Sequence, residues 1–303
     1  MKKLNVLILL SLLMMLPSLT SCIKEDLDDC KGKVSLHFRY VGDGTTDIFP
    51  DYIDKVTLYV YSADDNRLVS TVEYDESQLD AYQGANLELF PGRYHIVCWG
   101  NAFADTQIQE GDKVAAPGYF SSSDIVTNDP LYYGSVEIDV PGSLERKDYM
   151  CDFVSSHVKI EVRMEGFIGA VVPGIGSEDS NNIALGMAHL PSFTDFGNTP
   201  STTEESVYYP ALSVAEDDAT TYVTQYNVLR LSDDNPVTLQ LLAGTDRIVV
   251  QEFCLADFME KYGIRIDGRN GDVTISILLR ASSVGVEIVD WDREEVDPGF
   301  DKD

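Results

Sequence analysis

The sequence predicts an all-β protein built from sandwiches of packed antiparallel sheets. In many short segments apolar residues recur at every second position, and turn-forming residues separate those segments. Helical candidates are few and short, chiefly residues 76–81 and 255–262. A strand with one apolar face must bury that face, so short strands at this density favour two sheets packed face to face.

The predicted strands follow one another along the chain. Alternation is clearest where Lys159, Glu161 and Arg163 lie between apolar residues on the opposite face. The same pattern predicts half-buried strands over residues 34–40, 56–60, 158–164, 237–241 and 273–279. Turn chemistry, rich in Asp, Asn, Pro and Gly, lies at residues 64–66, 91–92, 141–142 and 233–236.

A further predicted strand is apolar on both faces. It follows the Pro91-Gly92 turn and covers residues 94–99, with Tyr, Ile and Cys on one face and His, Val and Trp on the other. Strands of this kind are covered on both sides. We therefore expect Trp99 to pack in a core rather than to form a ligand platform.

The domain organisation follows from length and from a polar stretch in the middle of the chain. At about 150 residues per domain, the 282 residues that follow the expected signal peptide predict two domains. Pro141-Gly142-Ser143 opens a polar stretch that ends at Asp148, which places the boundary there. The expected segments are a signal peptide (1–21), an acidic lipidated tether (22–29) and two β-sandwich domains (30–148 and 149–303). Irregular stretches at 101–132 and 166–182 are long enough to be functional or mobile loops.

The N-terminus carries a secretory signal that ends in a lipoprotein cleavage pattern. Lys2 and Lys3 precede an apolar run over 4–16, and Leu19-Thr20-Ser21-Cys22 follows it. The run is shorter than the roughly 20 residues of a membrane-spanning helix. We expect cleavage before Cys22 and acylation of its sulfur. The alternative is an ordinary signal peptide with a chance cysteine beside the cut.

The residues after Cys22 resemble a second targeting signal. Ile23, Lys24, Glu25 and Asp26 resemble the export signal that sends lipoproteins of the Bacteroidota to the outer face of the outer membrane. Residues 24–29 are also what a solvated charged tether would contain, and the two interpretations are compatible. The expected location is therefore the outer membrane, lipid-anchored and facing the cell exterior.

Charge and motifs exclude several classes of function. The chain has 22 basic and 51 acidic residues, a net charge of −29, which excludes nucleic acid as a partner. The four histidines lack zinc-protease spacing, and no nucleophile elbow or phosphate-binding loop is present. Paired acids lie in predicted turns without calcium-loop spacing. We therefore expect neither an enzyme nor a bound metal or cofactor.

Four cysteines remain besides Cys22. An exported chain permits disulfides, and Cys30, Cys98, Cys151 and Cys254 allow three pairings. Cys98 lies among apolar neighbours and is equally explained as a buried thiol. The sequence leaves one disulfide and none as equal alternatives.

Three segments together resemble the fimbrial anchor lipoproteins of the FimB type from Bacteroidales. They are the lipoprotein start with Asp-Leu-Asp-Asp-Cys over 22–30, Pro-Gly-Arg-Tyr through Trp-Gly-Asn over 91–101, and Leu-Tyr-Tyr-Gly over 131–134. The resemblance implies two transthyretin-like β-sandwich domains at the base of a surface fimbrium. It also implies a fimbrillin shaft subunit as partner, with the anchor limiting fimbrial length.

Fimbrial subunits of this kind are thought to join by strand complementation, in which an extended segment of one subunit completes a sheet of another. Residues 290–303 carry seven acids and Pro298, which makes the extreme C-terminus a poor donor strand. The last expected strand therefore contains Val284, Val286 and Ile288 and extends at most to Trp291, and we expect it to lie at an edge or groove that contacts the shaft subunit.

A surface glycan-binding lipoprotein of a nutrient-uptake system is the alternative function. Such proteins also combine a lipidated cysteine with stacked β-sandwiches, and 16 tyrosines are available for sugar platforms. The tyrosine pairs at 132–133 and 208–209 are equally explained by packing. A secreted hydrolase is disfavoured because no acid, base and nucleophile set is recognisable.

Overall fold

The computed structural model describes residues 30–109, 113–115, 124–142, 146–168, 182–282 and 284–290. The first part of the chain contains strands β1 (Gly32–Tyr40), β2 (Val56–Ser62), β3 (Leu68–Tyr74), β4 (Gly84–Leu89), β5 (Gly92–Gly100), β6 (Gln107–Gln109), β7 (Lys113–Ala115), β8 (Tyr132–Val140) and β9 (Arg146–Ser155). Helices α1 (Phe49–Tyr52) and α2 (Glu76–Ala81) lie between them.

The second part contains β10 (His157–Glu165), β11 (Ile183–Pro191), β12 (Phe193–Asp195), β13 (Glu205–Tyr208), β14 (Ser213–Val214), β15 (Tyr222–Leu229), β16 (Thr238–Ala243), β17 (Ile248–Cys254), β18 (Thr274–Ser282) and β19 (Gly285–Asp290). Its one helix in the described ranges is α3 (Leu255–Tyr262). The all-β prediction is confirmed, and helices are present at both 76–81 and 255–262, whereas α1 was not predicted. No helix in these ranges is long and apolar enough to cross a membrane.

The first unit is one seven-stranded sheet folded over on itself. Its strand order is β3-β2-β5-β8-β9-β1-β4. β8 and β9 pair over only three residues each, so the sheet turns at that point. The two halves then face each other, and Leu58 and Ile96 of one half share a core with Leu36 and Phe38 of the other. The unit is therefore a sandwich formed within a single sheet.

The second unit is a sandwich of two separate sheets. A five-stranded sheet has the order β14-β15-β10-β18-β19, and a four-stranded sheet has the order β13-β11-β16-β17. Ile160 and Ile277 of the first sheet share a core with Leu185 and Leu239 of the second. The predicted sandwich architecture is confirmed.

Each unit also contains one parallel pair, which the sequence prediction did not include. β1 pairs with β9 in parallel, and β10 pairs with β18 in parallel. Strand alternation is the same for parallel and antiparallel neighbours, so it does not report strand direction. Parallel neighbours need a long connection, and in both units most of the unit's chain lies between them.

The chain changes sheets at Ser156. β9 is paired with β1 and β8 of the first sheet, and β10 begins the second unit. The boundary predicted between residues 148 and 149 falls inside β9. The polar stretch that suggested it precedes a strand of the first unit, because Tyr149, Cys151 and Phe153 direct their side chains into the first core.

A small third sheet joins the two units. It has the order β12-β7-β6, so β12 of the second unit pairs with β7, and β7 pairs in turn with β6; β7 and β6 both come from the predicted irregular stretch at 101–132. Beneath it lies a separate apolar cluster that contains Tyr59, Trp99 and Leu229, with Phe196 packed against it. The units therefore share both a sheet and a core. Most of the irregular stretch predicted at 166–182 lies outside the described residues.

Candidate functional site

The predicted lipid site and export signal lie outside the described residues. The description starts at Cys30, two residues before β1, so Cys22 and residues 23–26 remain predictions. The structure nevertheless shows where the chain that follows the tether enters the fold, which is at the first residue of β1, Gly32.

The tether enters at the end of the first unit that is remote from the second unit. At the near end, the Tyr40 and Tyr132 hydroxyls donate to the two carboxylate oxygens of Asp272 at 3.1 and 2.9 Å. Tyr40 is the last residue of β1, whereas Gly32 is the first. β1 runs through nine residues, so its two ends lie roughly 25–30 Å apart. The first unit therefore separates Gly32 from the second unit.

The predicted contact strand is an edge strand of the second unit. β19 is paired only with β18 in the described part of the chain. Val284 precedes it with 92% of its surface exposed, whereas Val286 and Ile288 are half-buried and pack against the core. The structure thus brings these residues to a sheet edge but gives them different roles. Trp291 lies outside the described residues.

A second edge strand, β17, lies beside β19. The Gln251 side-chain amide donates to the Val286 carbonyl at 3.3 Å, which links the edges of the two sheets of this sandwich. Ile248 and Val249 of β17 are exposed by 65% and 49%. We call these two strands, with Val284, the β17–β19 edge. β17 was not predicted from the sequence. Val250 is an extra residue in this strand, opposite the step between Leu241 and Leu242 of β16, and it interrupts the alternation of β17.

The β17–β19 edge has the chemistry of a surface that accepts a strand. An edge strand presents backbone N–H and C=O groups without a neighbouring strand, and an extended segment satisfies them by pairing. The Val286 carbonyl already accepts from Gln251, so an added strand would pair with the other groups of this edge or displace that side chain. The exposed aliphatic side chains beside it supply apolar contact area. Glu287 is exposed on the same strand and carries the only charge between Gly285 and Val289. The arrangement is suited to strand addition.

The aromatic residues weighed as sugar platforms are used in packing. Trp99 is fully buried, with its ring centroid 5.2 Å from that of Tyr133 and 6.2 Å from that of Phe196. Tyr132 and Tyr208 are buried as well. The prediction that Trp99 belongs to a core is confirmed.

The four cysteines are free thiols in the structure. Cys98 and Cys151 are buried with their sulfur atoms 3.9 Å apart, whereas Cys30 and Cys254 are exposed. Burial raises the pKa of the Cys98 thiol well above its ordinary value. Of the two alternatives that the sequence left open, the structure has no disulfide among these residues.

His157 is a buried titratable group at the joint between the units. Its Nδ1 lies 3.0 Å from the Leu131 carbonyl oxygen, and burial lowers its pKa below the ordinary 6.5. A neighbouring carboxylate, Asp272, opposes this shift only in part. The folded protein therefore holds His157 neutral, whereas the unfolded chain binds a proton below about pH 6.5.

We expect the free energy of unfolding to decrease as the pH is lowered, because the folded protein buries His157 in its neutral form. As the pH drops from about 7 to about 5.5, the free energy of unfolding should decrease, by at most about 1.4 kcal/mol per pH unit from this group. Urea unfolding at the two pH values measures this. His157→Gln should flatten the dependence, whereas the control His37→Gln, at an exposed side chain, should keep it. An unchanged slope in His157→Gln would contradict the assignment.

Comparisons with known proteins match this architecture. The family model of the fimbrillin-A associated anchor proteins Mfa1 and Mfa2 matches residues 27–297. The solved fimbrial anchor protein Mfa2 from Porphyromonas gingivalis superposes with a TM-score of 0.66 at 15% identity, covering 86% of this chain and 98% of that one.

Two further solved structures share the fold. A candidate adhesin from Bacteroides ovatus has a TM-score of 0.65 at 16% identity, over 86% of this chain and 93% of its own. A candidate polysaccharide-binding protein from Bacteroides thetaiotaomicron has a TM-score of 0.65 at 16% identity, over 87% and 99%. No curated protein sequence matches the chain. Because the family model spans almost the whole sequence, this chain belongs to the fimbrillin-A associated anchor proteins and is a fimbrium-associated protein.

Proposed function

We propose that this protein is an outer-membrane surface lipoprotein that anchors a fimbrium to the cell. Acyl chains on Cys22 hold it in the membrane, and residues 23–26 direct it to the outer face. Its second unit binds the first fimbrillin shaft subunit by strand complementation. An anchor fixed in the bilayer cannot be carried outward on a growing fibre, so it also sets where assembly starts or stops and limits fimbrial length.

The observation that carries this proposal is the placement of the two attachment points. The tether enters at Gly32, at the end of the first unit remote from the joint, and the β17–β19 edge belongs to the second unit. A link between a membrane and a fibre needs its two attachments on separate units. The positions of Gly32 and of the β17–β19 edge on different units support the proposal.

The joint between the units is suited to carrying load. Asp43 of the first unit accepts hydrogen bonds from the Arg269 guanidinium at 2.7 Å and from the Asn270 N–H at 2.8 Å. In the other direction, the Ser155 N–H donates to the Asn270 carbonyl at 2.8 Å. These bonds add to the shared sheet of β12, β7 and β6. A force applied at one unit is therefore transmitted to the other through many bonds at once.

The anchor offers an edge to the shaft rather than donating its own C-terminus. Residues 291–303 are rich in acids and contain Pro298, a composition that opposes strand pairing. The β17–β19 edge has exposed aliphatic side chains instead. These two features favour donation of a strand by the shaft subunit to the anchor.

Val284→Asp tests the proposed edge. Its carboxylate would lose hydration under an incoming strand, and we expect capture of the shaft subunit to weaken at least about tenfold. Pull-down of the fimbrillin encoded with this chain, at several concentrations, measures the effect. Because Val284 is 92% exposed, the free energy of unfolding should change by no more than about 0.5 kcal/mol.

The matched control is Val214→Asp. Val214 lies in β14, at the opposite edge of the same sheet, and is 52% exposed. Capture should be unchanged in this variant. Equal loss in both variants, or no loss in Val284→Asp, would remove the β17–β19 edge from the interface. Substitutions of Val286 or Ile288 are unsuitable because their side chains pack on the core.

A further inference from the structure

We infer that the end of the first unit from which the tether leaves docks on an anionic, phosphate-bearing lipid surface. This inference rests on the proposed lipid attachment at Cys22. We call this end the tether face and define it as residues 30–33, 63–67, 88–93, 139–142 and 146–147.

Strand pairing places all of these segments at one end of the sandwich. At the start of β1, Gly32 is paired with Leu89 and Lys33 with Arg146. In the other half of the sheet, Gly92 is paired with Val140. A Cβ added to Gly32 would lie 2.7 Å from Val140 Cγ1, so the two halves are in contact here. The turn at 63–67 is joined to them by a 3.0 Å bond from the Ala63 N–H to the Arg93 carbonyl.

The tether face holds most of the cations of the first unit. Elsewhere in the described part of residues 30–155, Lys and Arg occur only at positions 39, 55 and 113. On the tether face they are Lys31, Lys33, Arg67, Arg93, Arg146 and Lys147. The described acids there are Asp64, Asp65, Glu88 and Asp139. Within these folded residues six cations therefore face four acids, an excess of two positive charges on a chain whose net charge is −29, whereas the tether that precedes them adds Glu25, Asp26, Asp28 and Asp29 against Lys24.

The ion pairs within the tether face do not remove its cations from solvent. Arg93 lies 3.1 Å from Asp64 with 71% of its side chain exposed, and Lys33 lies 4.0 Å from Glu88 with 63% exposed. Arg67 is 72% exposed beside Asp65. Pairs this exposed contribute little to stability. Their cations remain available to lipid phosphates.

Phe90 adds an apolar contact at the tip of the same face. It is 54% exposed, and the Lys31 ammonium lies 5.5 Å from its ring centroid. The Tyr94 hydroxyl donates to the Phe90 carbonyl at 2.9 Å and holds the turn in place. An aromatic ring beside cations is typical of protein surfaces that lie in the membrane interface.

The tether is short enough to keep the tether face close to the membrane, where its charges act on the lipid surface. Residues 22–30 span at most about 30 Å when fully extended, so the lipid keeps the tether face near the membrane. An anionic surface attracts this end and repels the acidic remainder of the chain within a Debye length of about 8–10 Å. The molecule is then held upright, with the second unit directed away from the lipid.

Depth-dependent fluorescence quenching tests this docking. The lipidated full-length chain carrying Phe90→Trp is placed in phosphatidylcholine vesicles with about 30% phosphatidylglycerol and bromine-labelled acyl chains. The unsubstituted chain supplies the background from Trp99 and Trp291. We expect quenching of the indole at position 90 to exceed that of the control Val284→Trp at least fivefold. It should fall about tenfold on adding Lys31→Glu, Arg67→Glu and Arg93→Glu together.

Vesicle sedimentation separates failure of the docking from failure of the anchoring. If the protein sediments but positions 90 and 284 are quenched equally, or the charge reversals change nothing, docking is overturned and anchoring stands. If the lipidated preparation does not sediment, the acyl attachment is wrong and the docking inference fails with it. Stronger quenching in pure phosphatidylcholine than in anionic vesicles would also overturn the inference.

Discussion

Cys22→Ala should release the protein and its fimbriae from the cell. Each acyl methylene buried in a bilayer contributes about 0.8 kcal/mol, so two or three long chains bind almost irreversibly, and their loss leaves no comparable attachment. We expect radiolabelled palmitate to disappear from the protein, the membrane-bound fraction to fall from nearly all to nearly none, and fimbriae to appear in the medium. Labelling and fractionation measure these effects.

The matched control is Cys30→Ala. Cys30 is exposed and lies just before β1, so its loss should leave acylation, fractionation and folding unchanged. A Cys22→Ala variant that still fractionates with outer membranes and retains its fibres would contradict the anchoring proposal. The tether face is predicted to orient the molecule, and its cations are too few to replace the acyl chains.

Trp99→Ala should be the most destabilising single substitution in the core between the units. Trp99 projects from β5 of the first unit, is fully buried and packs against Phe196 of the second unit, so truncation leaves a cavity at the joint. We expect a loss of about 3–5 kcal/mol, a large part of the 5–15 kcal/mol that stabilises a typical domain. Denaturant unfolding measures it.

Two variants define the cause of that loss. The indole N–H of Trp99 has no hydrogen-bond partner among the described residues, so Trp99→Phe should cost much less than Trp99→Ala. Phe103→Ala, at an aromatic side chain that is 46% exposed, should change stability by less than about 1 kcal/mol. A small effect of Trp99→Ala would show that the joint does not depend on this cluster.

Some elements of the candidate site were visible in the sequence because their signals are local. Period-two alternation over residues 34–40 and 158–164 reports which face of a strand is buried, and the structure confirms both strands. The capping box of α2 is similarly local, since the Gln78 N–H donates to the Asp75 carboxylate at 3.0 Å. The lipid site at Cys22 is also a local pattern and stays a prediction.

The partner of each strand was not visible in the sequence. β9 pairs with β1, whose residues lie more than a hundred positions earlier, and no local signal in the sequence marks the change of sheets at Ser156. β17 and β19 lie close together only because two sheets pack against each other. Nothing in the sequence around Gln251 therefore predicted its contact with β19. The cations of the tether face come from four separate segments and gather only when the strands align.

By itself, the sequence determined the all-β class, the burial of Trp99, the acidic surface and the expected processing at Cys22. Tertiary structure alone decided the parallel pairs, the point where the chain changes sheets and the separation of the tether from the β17–β19 edge. The physical reason is the range of the interactions. Alternation and turn chemistry act over a few residues, whereas pairing and sheet packing select among distant segments through the apolar surface that they bury together.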